Sequence, residues 1–582
     1  MTAPTYAPSP QQEDIVSMFA TGAPMVIEAG AGCGKTSSIV DCADRLWVDR
    51  PAARGVYITL NSDVAKEVGS RFTKGNILSS TIHSLALRML SALGTVPFDV
   101  AIPGELEPLR GYDLAQVAHN RMRVPSGQYK PWEYAGLLGV HEGVVYTPRG
   151  TTAPKMSCHP EAYGKPKGYK LPSTERFLTP TMILNAGKEV VENFCSSDAP
   201  ELDLGFALGV IRSRPTWMVP DKLRRPLAEI ILAAARNVWD DARRPVGFLP
   251  FSHSWYLKWW SLLAPDIKAT LGLAPGSVLF FDEAQDSRPC ISRVVFAQMN
   301  YADPVQVVCV GDTSQAIYGF SGAVDALDTF ALAPGVEVLP LSVSWRFGQE
   351  IADEANKVLS VLGADLRITG NPSKTSTVGI DTGDLQDYDA VICRTNAQVL
   401  GHAMEAISEG IKVSATINVK EIKNTAQSLL DLAEGRKPSH PDLKMLNGPG
   451  EVARYLNEAT GGDSLARLLV QCMTPKFTRE PWTAEMVREC AQSGVPEIVS
   501  TLDNLVSDDE ADLIISTIHK AKGRQWPRVL VSMDRAQVFG IEGDTPPSPS
   551  MLMLLYVAIT RGEEVSHYVD PELRYQINEL AE

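Results

Sequence analysis

Ala29-Gly30-Ala31-Gly32-Cys33-Gly34-Lys35-Thr36 is the stretch on which the fold turns. An apolar run precedes it at 24–29, and an amphipathic run follows at 36–47. Strand, glycine-rich turn and helix in that order are the setting a phosphate-binding loop needs. The backbone N–H groups of such a turn and the helix N-terminus face anionic oxygens. Gly30, Gly32 and Gly34 permit close approach, Lys35 sets a point charge on the phosphates, and Thr36 is placed to ligate Mg²⁺. Residues 29–36 therefore predict a nucleotide site.

Outward from the loop, 55–60 reads as a strand, 62–71 as a helix and 81–93 as another helix. Such alternation indicates an open parallel α/β sheet. A strand at 278–281 delivers Asp282 and Glu283 at its tip, and one at 305–310 delivers Gly311 and Asp312. A second α/β unit is expected to start near Val336, with strands at 390–393, 513–517 and 529–532. Two stretches interrupt the pattern. Residues 101–264 are rich in Pro, Gly and aromatics and read as a mainly helical insertion, with helices at 179–194 and 223–241. Residues 416–508 read as a second, smaller insertion. The expected organisation is a first α/β domain from 1–100 and 265–335, with 101–264 inserted, and a second from 336–415 and 509–582, with 416–508 inserted. The aromatic run Ser254-Trp255-Tyr256-Leu257-Lys258-Trp259-Trp260 reads as core packing rather than a stacking platform.

Composition narrows the classes. A chain of 582 residues with 44% hydrophobic content has room for roughly three or four domains. No run of about 18 apolar residues occurs, so no membrane span is expected. The first ten residues lack the charged start and apolar stretch of a signal peptide and read as a loose tail. Nine scattered cysteines without a Cys-x-x-Cys pair read as reduced thiols in a cytoplasmic setting. The net charge of -15 argues against a generally basic surface but leaves room for a local track. Residues 110–176 are such a segment: Arg110, Arg121, Arg123, Lys130, Arg149, Lys155, Lys165, Lys167, Lys170 and Arg176 outnumber five acids.

The acidic pair completes half of a hydrolytic site. Asp282 is suited to hold Mg²⁺ and Glu283 to polarise an attacking water. Gln315 is suited to sense the γ-phosphate. Phosphoryl transfer spreads negative charge in its transition state, so cationic donors are needed. Arg346 and Arg561 are the candidates. Lying far down the chain on the second α/β unit, they would complete the site when two lobes close, which would tie ATP binding to domain movement.

The order of seven segments carries a resemblance. They are the phosphate loop, Thr81-Ile82-His83-Ser84, Phe281-Asp282-Glu283-Ala284-Gln285-Asp286, Gly311-Asp312-Thr313-Ser314-Gln315, Ser344-Trp345-Arg346-Phe347, Thr517-Ile518-His519-Lys520-Ala521-Lys522-Gly523 and Tyr556-Val557-Ala558-Ile559-Thr560-Arg561. Together they resemble superfamily 1 helicases of the UvrD/PcrA/Rep group from Gln12 to Arg561, nearer the shorter F-box DNA helicase-like subgroup. The resemblance implies two RecA-like P-loop NTPase domains, each with an insertion, and ATP-driven 3′→5′ movement on single-stranded DNA. The Thr-Ile-His-Lys-Ala-Lys-Gly form at 517–523 favours this branch over the 5′→3′ one.

The resemblance also distributes roles. Gln12 would read the adenine edge and Trp345 would stack on adenine. The loop from Ala29 through Cys33 to Thr36, with Ser37, would hold the phosphates. Gly523 and Gln525 would lie at the nucleotide, with Gln525 able to hydrogen-bond the ribose. Asn61, His83, Tyr318, Phe320, Arg394, Asn396, His519 and Lys522 would contact DNA, with His519 and Lys522 also relaying the ATP state. The chain departs from the family pattern at Ile82, where Phe is usual, and at Ser321, where Arg is usual. Both changes thin the grip on DNA, since an aromatic stack contributes about 1–3 kcal/mol per base. Ser37, Gln525, Ser550 and Met553 are further departures, and none replaces a residue of the hydrolytic set Lys35, Thr36, Asp282, Glu283, Arg346 and Arg561.

The expected function is therefore an ATP- and Mg²⁺-dependent translocase on single-stranded DNA and single-strand/duplex junctions, able to unwind duplex. Phosphate contacts supply grip and stacked aromatics supply a sequence-tolerant pawl. The alternative is a partner-gated translocase that displaces proteins with little unwinding of its own. Repair, replication or recombination proteins are the expected partners, with no membrane and a monomeric or weakly self-associating chain.

Overall fold

The computed structural model describes residues 8–93, 129–150, 153–159, 175–244, 247–319, 325–381, 383–458, 464–473, 481–540 and 546–582. Two compact units emerge. One comprises Met1–Glu28, Lys35–Thr313 and Tyr318–Leu341, and the other Ala29–Gly34, Ser314–Ile317 and Ser342–Glu582. Both are α/β.

The first unit is built on a six-stranded sheet from β1 (Met25–Ala29), β2 (Gly55–Thr59), β3 (Ile77–Thr81), β7 (Val278–Asp282), β8 (Gln306–Gly311) and β9 (Glu337–Leu341), in the order β3-β2-β7-β8-β1-β9. The pairs along β3-β2-β7-β8-β1 are all parallel. Strands β2, β7 and β8 are buried at every position, as expected of a parallel sheet covered on both faces. The helix Lys35–Asp49 buries Ser38, Ile39, Cys42, Ala43 and Leu46, a 3–4 spacing that puts one stripe inward.

Between β3 and β7, the described residues of the insertion hold helices Pro180–Ser196, Leu204–Arg212, Asp221–Ala242 and His253–Leu263. A Cβ on Gly187 would lie 2.9 Å from the backbone N of Ala235, so this glycine sets the close approach of two of them. The insertion also carries a small antiparallel sheet that the sequence pattern did not reveal: β4 (Gly143–Tyr146) between β5 (Met156–His159) and β6 (Arg176–Leu178). The aromatic run is core, with Trp255, Tyr256, Trp259 and Trp260 all buried. Arg176 is buried too, so it is no part of an exposed basic track. Arg110, Arg121, Arg123, Lys165, Lys167 and Lys170 lie outside the described residues.

The second unit repeats the architecture with β10 (Thr377–Ile380), β11 (Ala390–Cys393), β12 (Val413–Ala415), β13 (Leu513–Thr517), β14 (Trp526–Ser532) and β15 (Gly562–Tyr568). The order is β10-β15-β14-β11-β13-β12 and every pair is parallel. Between β12 and β13, helices Val419–Ala433, Pro449–Glu458, Ser464–Gln471 and Ala484–Asp503 enclose a core that includes Leu429, Val452, Leu469 and Ile498.

One boundary needs correction. The second α/β unit was expected to open near Val336, but Glu337–Leu341 is the edge strand of the first sheet. The Glu337 N–H donates to the Pro24 carbonyl at 3.1 Å, which ties this segment to the chain just before β1. Among the described residues, no helix is long and apolar enough to cross a membrane.

Candidate nucleotide site

Adjacent strands β7, β8 and β1 end together. Glu28 is level with Gly311, and Asp282 with Val310. Parallel α/β sheets place ligand chemistry at the carboxyl ends of their strands. This register therefore gathers the acidic pair, Gly311-Asp312 and the approach to the phosphate loop. Thr313 donates through Oγ1 to Glu28 Oε1 at 3.1 Å, closing the row.

Within the first unit, Asp282 is buried at the tip of β7. Its Oδ2 accepts from the Tyr57 hydroxyl at 2.6 Å, and its Oδ1 accepts from the Glu283 N–H at 2.9 Å. Burial, then the neighbouring Glu283, raises the Asp282 pKa, while the Tyr57 hydrogen bond and Lys35 oppose the rise. Lys35 is thus electrostatically engaged with Asp282. Glu283 has φ +53, a left-handed conformation that costs a non-glycine residue about 1–2 kcal/mol. Its carboxylate accepts from Gln285 Nε2 at 2.5 Å. Tyr318 is half-buried, its pKa pushed up to about 12 by burial, then by Asp286 and Glu283.

Gln12 is buried at the start of the helix Pro10–Ala20, where it forms a capping box with Ser9. Its Nε2 donates to Ser38 Oγ at 3.4 Å, beside the first turn after the phosphate loop. Ser37 accepts from Arg71 at 3.1 Å, so a guanidinium reaches the position where the family often has its own Arg. Thr36 is half-buried in the first turn of Lys35–Asp49.

The phosphate-loop turn Ala29–Gly34 packs within the second unit. Gly32 and Gly34 have φ of +74° and +86°, which side chains rarely adopt. A Cβ on Gly32 would lie 2.7 Å from both Arg346 Cβ and Ser344 Oγ. The turn is held by three hydrogen bonds: Ala31 N–H to the Tyr556 hydroxyl at 3.1 Å, Ser344 Oγ to the Ala31 carbonyl at 2.9 Å, and Trp345 N–H to the Gly32 carbonyl at 2.9 Å. Gly30 lies beside Ile368, and Cys33 is buried.

Arg346 and Arg561 meet at Thr560. Arg346 donates to the Thr560 carbonyl at 2.8 Å and to Gln525 Oε1 at 2.8 Å. Arg561, fully buried, donates to Thr560 Oγ1, the Val557 carbonyl and the Arg524 carbonyl. Gln525, expected at a ribose, thus presents its carbonyl to Arg346, and Gly523 turns the chain before it with φ +83. Lys374 is a further residue that sequence reasoning passed over. It donates to the Arg346 carbonyl at 2.7 Å and to Glu563 at 2.9 Å.

The candidate DNA contacts divide. Asn61 is exposed and caps the helix Ser62–Arg71 by accepting from the Asp63 N–H at 2.8 Å. His83 is half-buried in the first turn of Ile82–Ala92, with Nδ1 2.7 Å from the Tyr256 hydroxyl. Ile82 is fully buried, so this departure changes the core rather than the surface. In the second unit, Arg394 and Asn396 lie at the junction of β11 and the helix Asn396–Ser408. Lys522 donates to the Gln315 carbonyl at 2.7 Å, and His519 hydrogen-bonds the Ile317 backbone. Gln315 itself is buried. Both side chains expected at DNA thus hold the segment Ser314–Ile317. Phe320 and Ser321 lie outside the described residues.

Burial, then His253 and Arg288, lowers the His83 pKa to about 4. Burial, then Arg394, lowers that of His519 to about 4. Both rings are therefore neutral at pH 7. A pKa depressed on folding contributes stability that is complete above the ordinary value near 6.5 and lost as pH falls toward 4. Urea midpoints are expected to hold steady from pH 8 to 7 and fall from pH 6 to 4. The double substitution His83→Gln, His519→Gln should flatten that fall, and an equally steep fall in the variant would remove these rings as its source.

An acidic pair whose Asp282 is buried and electrostatically engaged with Lys35, on a parallel sheet with β7, β8 and β1 adjacent, defines a P-loop nucleoside triphosphatase fold. The family described as AAA domain matches residues 12–321, more than half of the chain, and the chain belongs to it, in the UvrD-like superfamily 1 branch near the F-box DNA helicases. F-box DNA helicase protein 1 of Schizosaccharomyces pombe is 27% identical over 312 residues, covering 49% of this chain and 33% of that protein. F-box DNA helicase 1 of Gallus gallus is 23% identical over 580 residues, covering 95% of this chain and 48% of that protein. The chain thus spans half or less of the curated relatives it matches.

Proposed function

We propose that this chain is an ATP-dependent DNA translocase that moves 3′→5′ on single-stranded DNA and unwinds duplex. The observation that carries the reading is the row of strand ends β7, β8 and β1, which gathers Asp282, Glu283 and Gly311-Asp312, with Lys35 electrostatically engaged with Asp282. A buried carboxylate and a threonine hydroxyl form a donor set that fits Mg²⁺, an ion that takes one or two carboxylates and completes its shell with phosphate and water. When bound, the ion neutralises phosphate charge. Glu283 then orients and deprotonates the attacking water, and Arg346 and Arg561 supply cationic donors to the γ-phosphate. The names of the F-box DNA helicases support DNA as the polymer.

The motor domains in this reading are 1–100 with 265–341, and 342–415 with 509–582. Residues 101–264 and 416–508 are the insertions. Asn61, His83, Tyr318, Arg394, Asn396, His519 and Lys522 are the proposed strand contacts among the described residues. The setting is intracellular, with repair, replication or recombination proteins as partners.

The test is steady-state ATP hydrolysis with and without single-stranded DNA, with Lys35→Ala as the control. Stimulation of at least tenfold that Lys35→Ala abolishes is the expected result. ATP binding with no stimulation by DNA or RNA would sink the translocase. Strong stimulation with little unwinding of a 3′-tailed duplex would instead favour the partner-gated alternative.

A further inference from the structure

Gln285 sits in the single turn Ala284–Asp286 that follows the acidic pair, and it is 1% exposed. Both ends of its amide are used. Nε2 donates to Glu283 Oε2 at 2.5 Å, while Oε1 accepts from the Asp312 N–H at 3.2 Å. A side-chain amide is the group that offers a neutral donor and an acceptor from one planar head. A carboxylate there would place two negative charges together, and an apolar side chain would leave a buried N–H without its acceptor.

The surroundings are shaped to this one side chain. A Cβ on Gly311 would lie 2.0 Å from Gln285 Oε1 and 2.7 Å from Leu327 Cδ1. Glycine at 311 therefore leaves the space that the amide fills. On the other side, the left-handed backbone of Glu283 directs its carboxylate back to the amide two residues on. Strain held at one residue in this way persists only where its surroundings over-determine it. Strand β8 ends at Gly311, and the chain then passes through Asp312 into the single turn Thr313–Gln315.

We propose that Gln285 is a positioning residue that orients the Glu283 carboxylate and ties that orientation to the end of β8. The inference rests on the ATPase reading of the site. Gln285 acts through Glu283 and does not itself touch the nucleotide. A shift of the β8 end moves Asp312, moves the amide and turns the carboxylate. A misplacement of a reacting group by about 1 Å can lower a rate about 100-fold.

The experiment uses the full chain with Gln285→Met, which fills the space without either hydrogen bond, and Gln285→Asn, which keeps the amide one methylene short. Turnover, KM for ATP and the Kd of a fluorescent ATP analogue are measured with saturating single-stranded DNA, and folding is checked by thermal melting. The expected result is a kcat lowered about 10- to 100-fold in both variants, with KM and Kd within about twofold of wild type. A folded Gln285→Met or Gln285→Asn protein with wild-type kcat overturns the proposal, as does a loss of nucleotide affinity in step with kcat. If the methionine variant does not fold, the asparagine variant decides. Wild-type turnover no higher than that of Lys35→Ala would overturn the ATPase reading and this inference with it. Robust wild-type turnover matched by both variants would overturn this inference alone.

Discussion

Glu283→Gln is expected to lower ATP turnover about 100- to 1000-fold while leaving nucleotide affinity within about threefold of wild type. The substitution preserves volume and removes the basic oxygen. It should not disturb the fold. The Glu283 N–H still reaches Asp282 Oδ1, and a glutamine carbonyl at 283 can still accept from Gln285 Nε2. The loss is confined to proton transfer, because an amide cannot take a proton from the attacking water. A coupled hydrolysis assay beside a fluorescent-nucleotide titration separates the two quantities. Turnover within tenfold of wild type would remove Glu283 from the base role, and a parallel loss of affinity would make it a binding residue instead.

The legible and illegible parts of this chain differ in range. The loop at 29–36 and the apolar runs before Asp282 and Gly311 are local patterns, and periodicity places their strands and helices within a few residues. The assignment of Glu337–Leu341 to the first sheet is not local. Those five residues precede Ser344-Trp345-Arg346 in sequence, yet their strand lies beside β1, more than three hundred residues earlier. Only the pairing reveals that, and an edge strand with Pro340 inside it carries a weak signature. The four-residue strand Gly143–Tyr146 is too short for alternation to register.

The site shows the same division. The residues proposed for the phosphate chemistry follow from their motifs. The residues that hold them do not. Tyr57 reads as one more strand aromatic until its hydroxyl is found on Asp282, 225 positions away. Arg71 reads as a helix-terminal base until it reaches Ser37. Lys522 and His519 carry the chemistry of phosphate contacts, but tertiary structure turns them onto the backbone of Gln315 and Ile317. A polar side chain's partner is set by the packing of distant segments, and residue type alone is silent on it.

Arg561 is where chemistry and support should be hardest to separate, and the substitution Arg561→Lys separates them. Its guanidinium is 1% exposed and donates to the Val557 carbonyl at 2.9 Å, the Arg524 carbonyl at 3.2 Å and Thr560 Oγ1 at 3.1 Å. The flat fork spans three acceptors that an ammonium point charge cannot reach together. Arg346 shares the residue between them by donating to the Thr560 carbonyl at 2.8 Å. Turnover is therefore expected to fall about 1000-fold, the scale on which an arginine acts in phosphoryl transfer. Stability should fall by about 1–3 kcal/mol from the buried acceptors left unmade. Assayed well below the lowered melting temperature, nucleotide Kd should stay within a fewfold of wild type. Arg346→Lys provides the comparison: it leaves the contacts of Arg561 in place, so it should lose turnover with a smaller change in melting. If Arg561→Lys melts early but hydrolyses ATP within tenfold of wild type, this arginine is a strut for the 524–560 backbone, and Arg346 alone carries the cationic role.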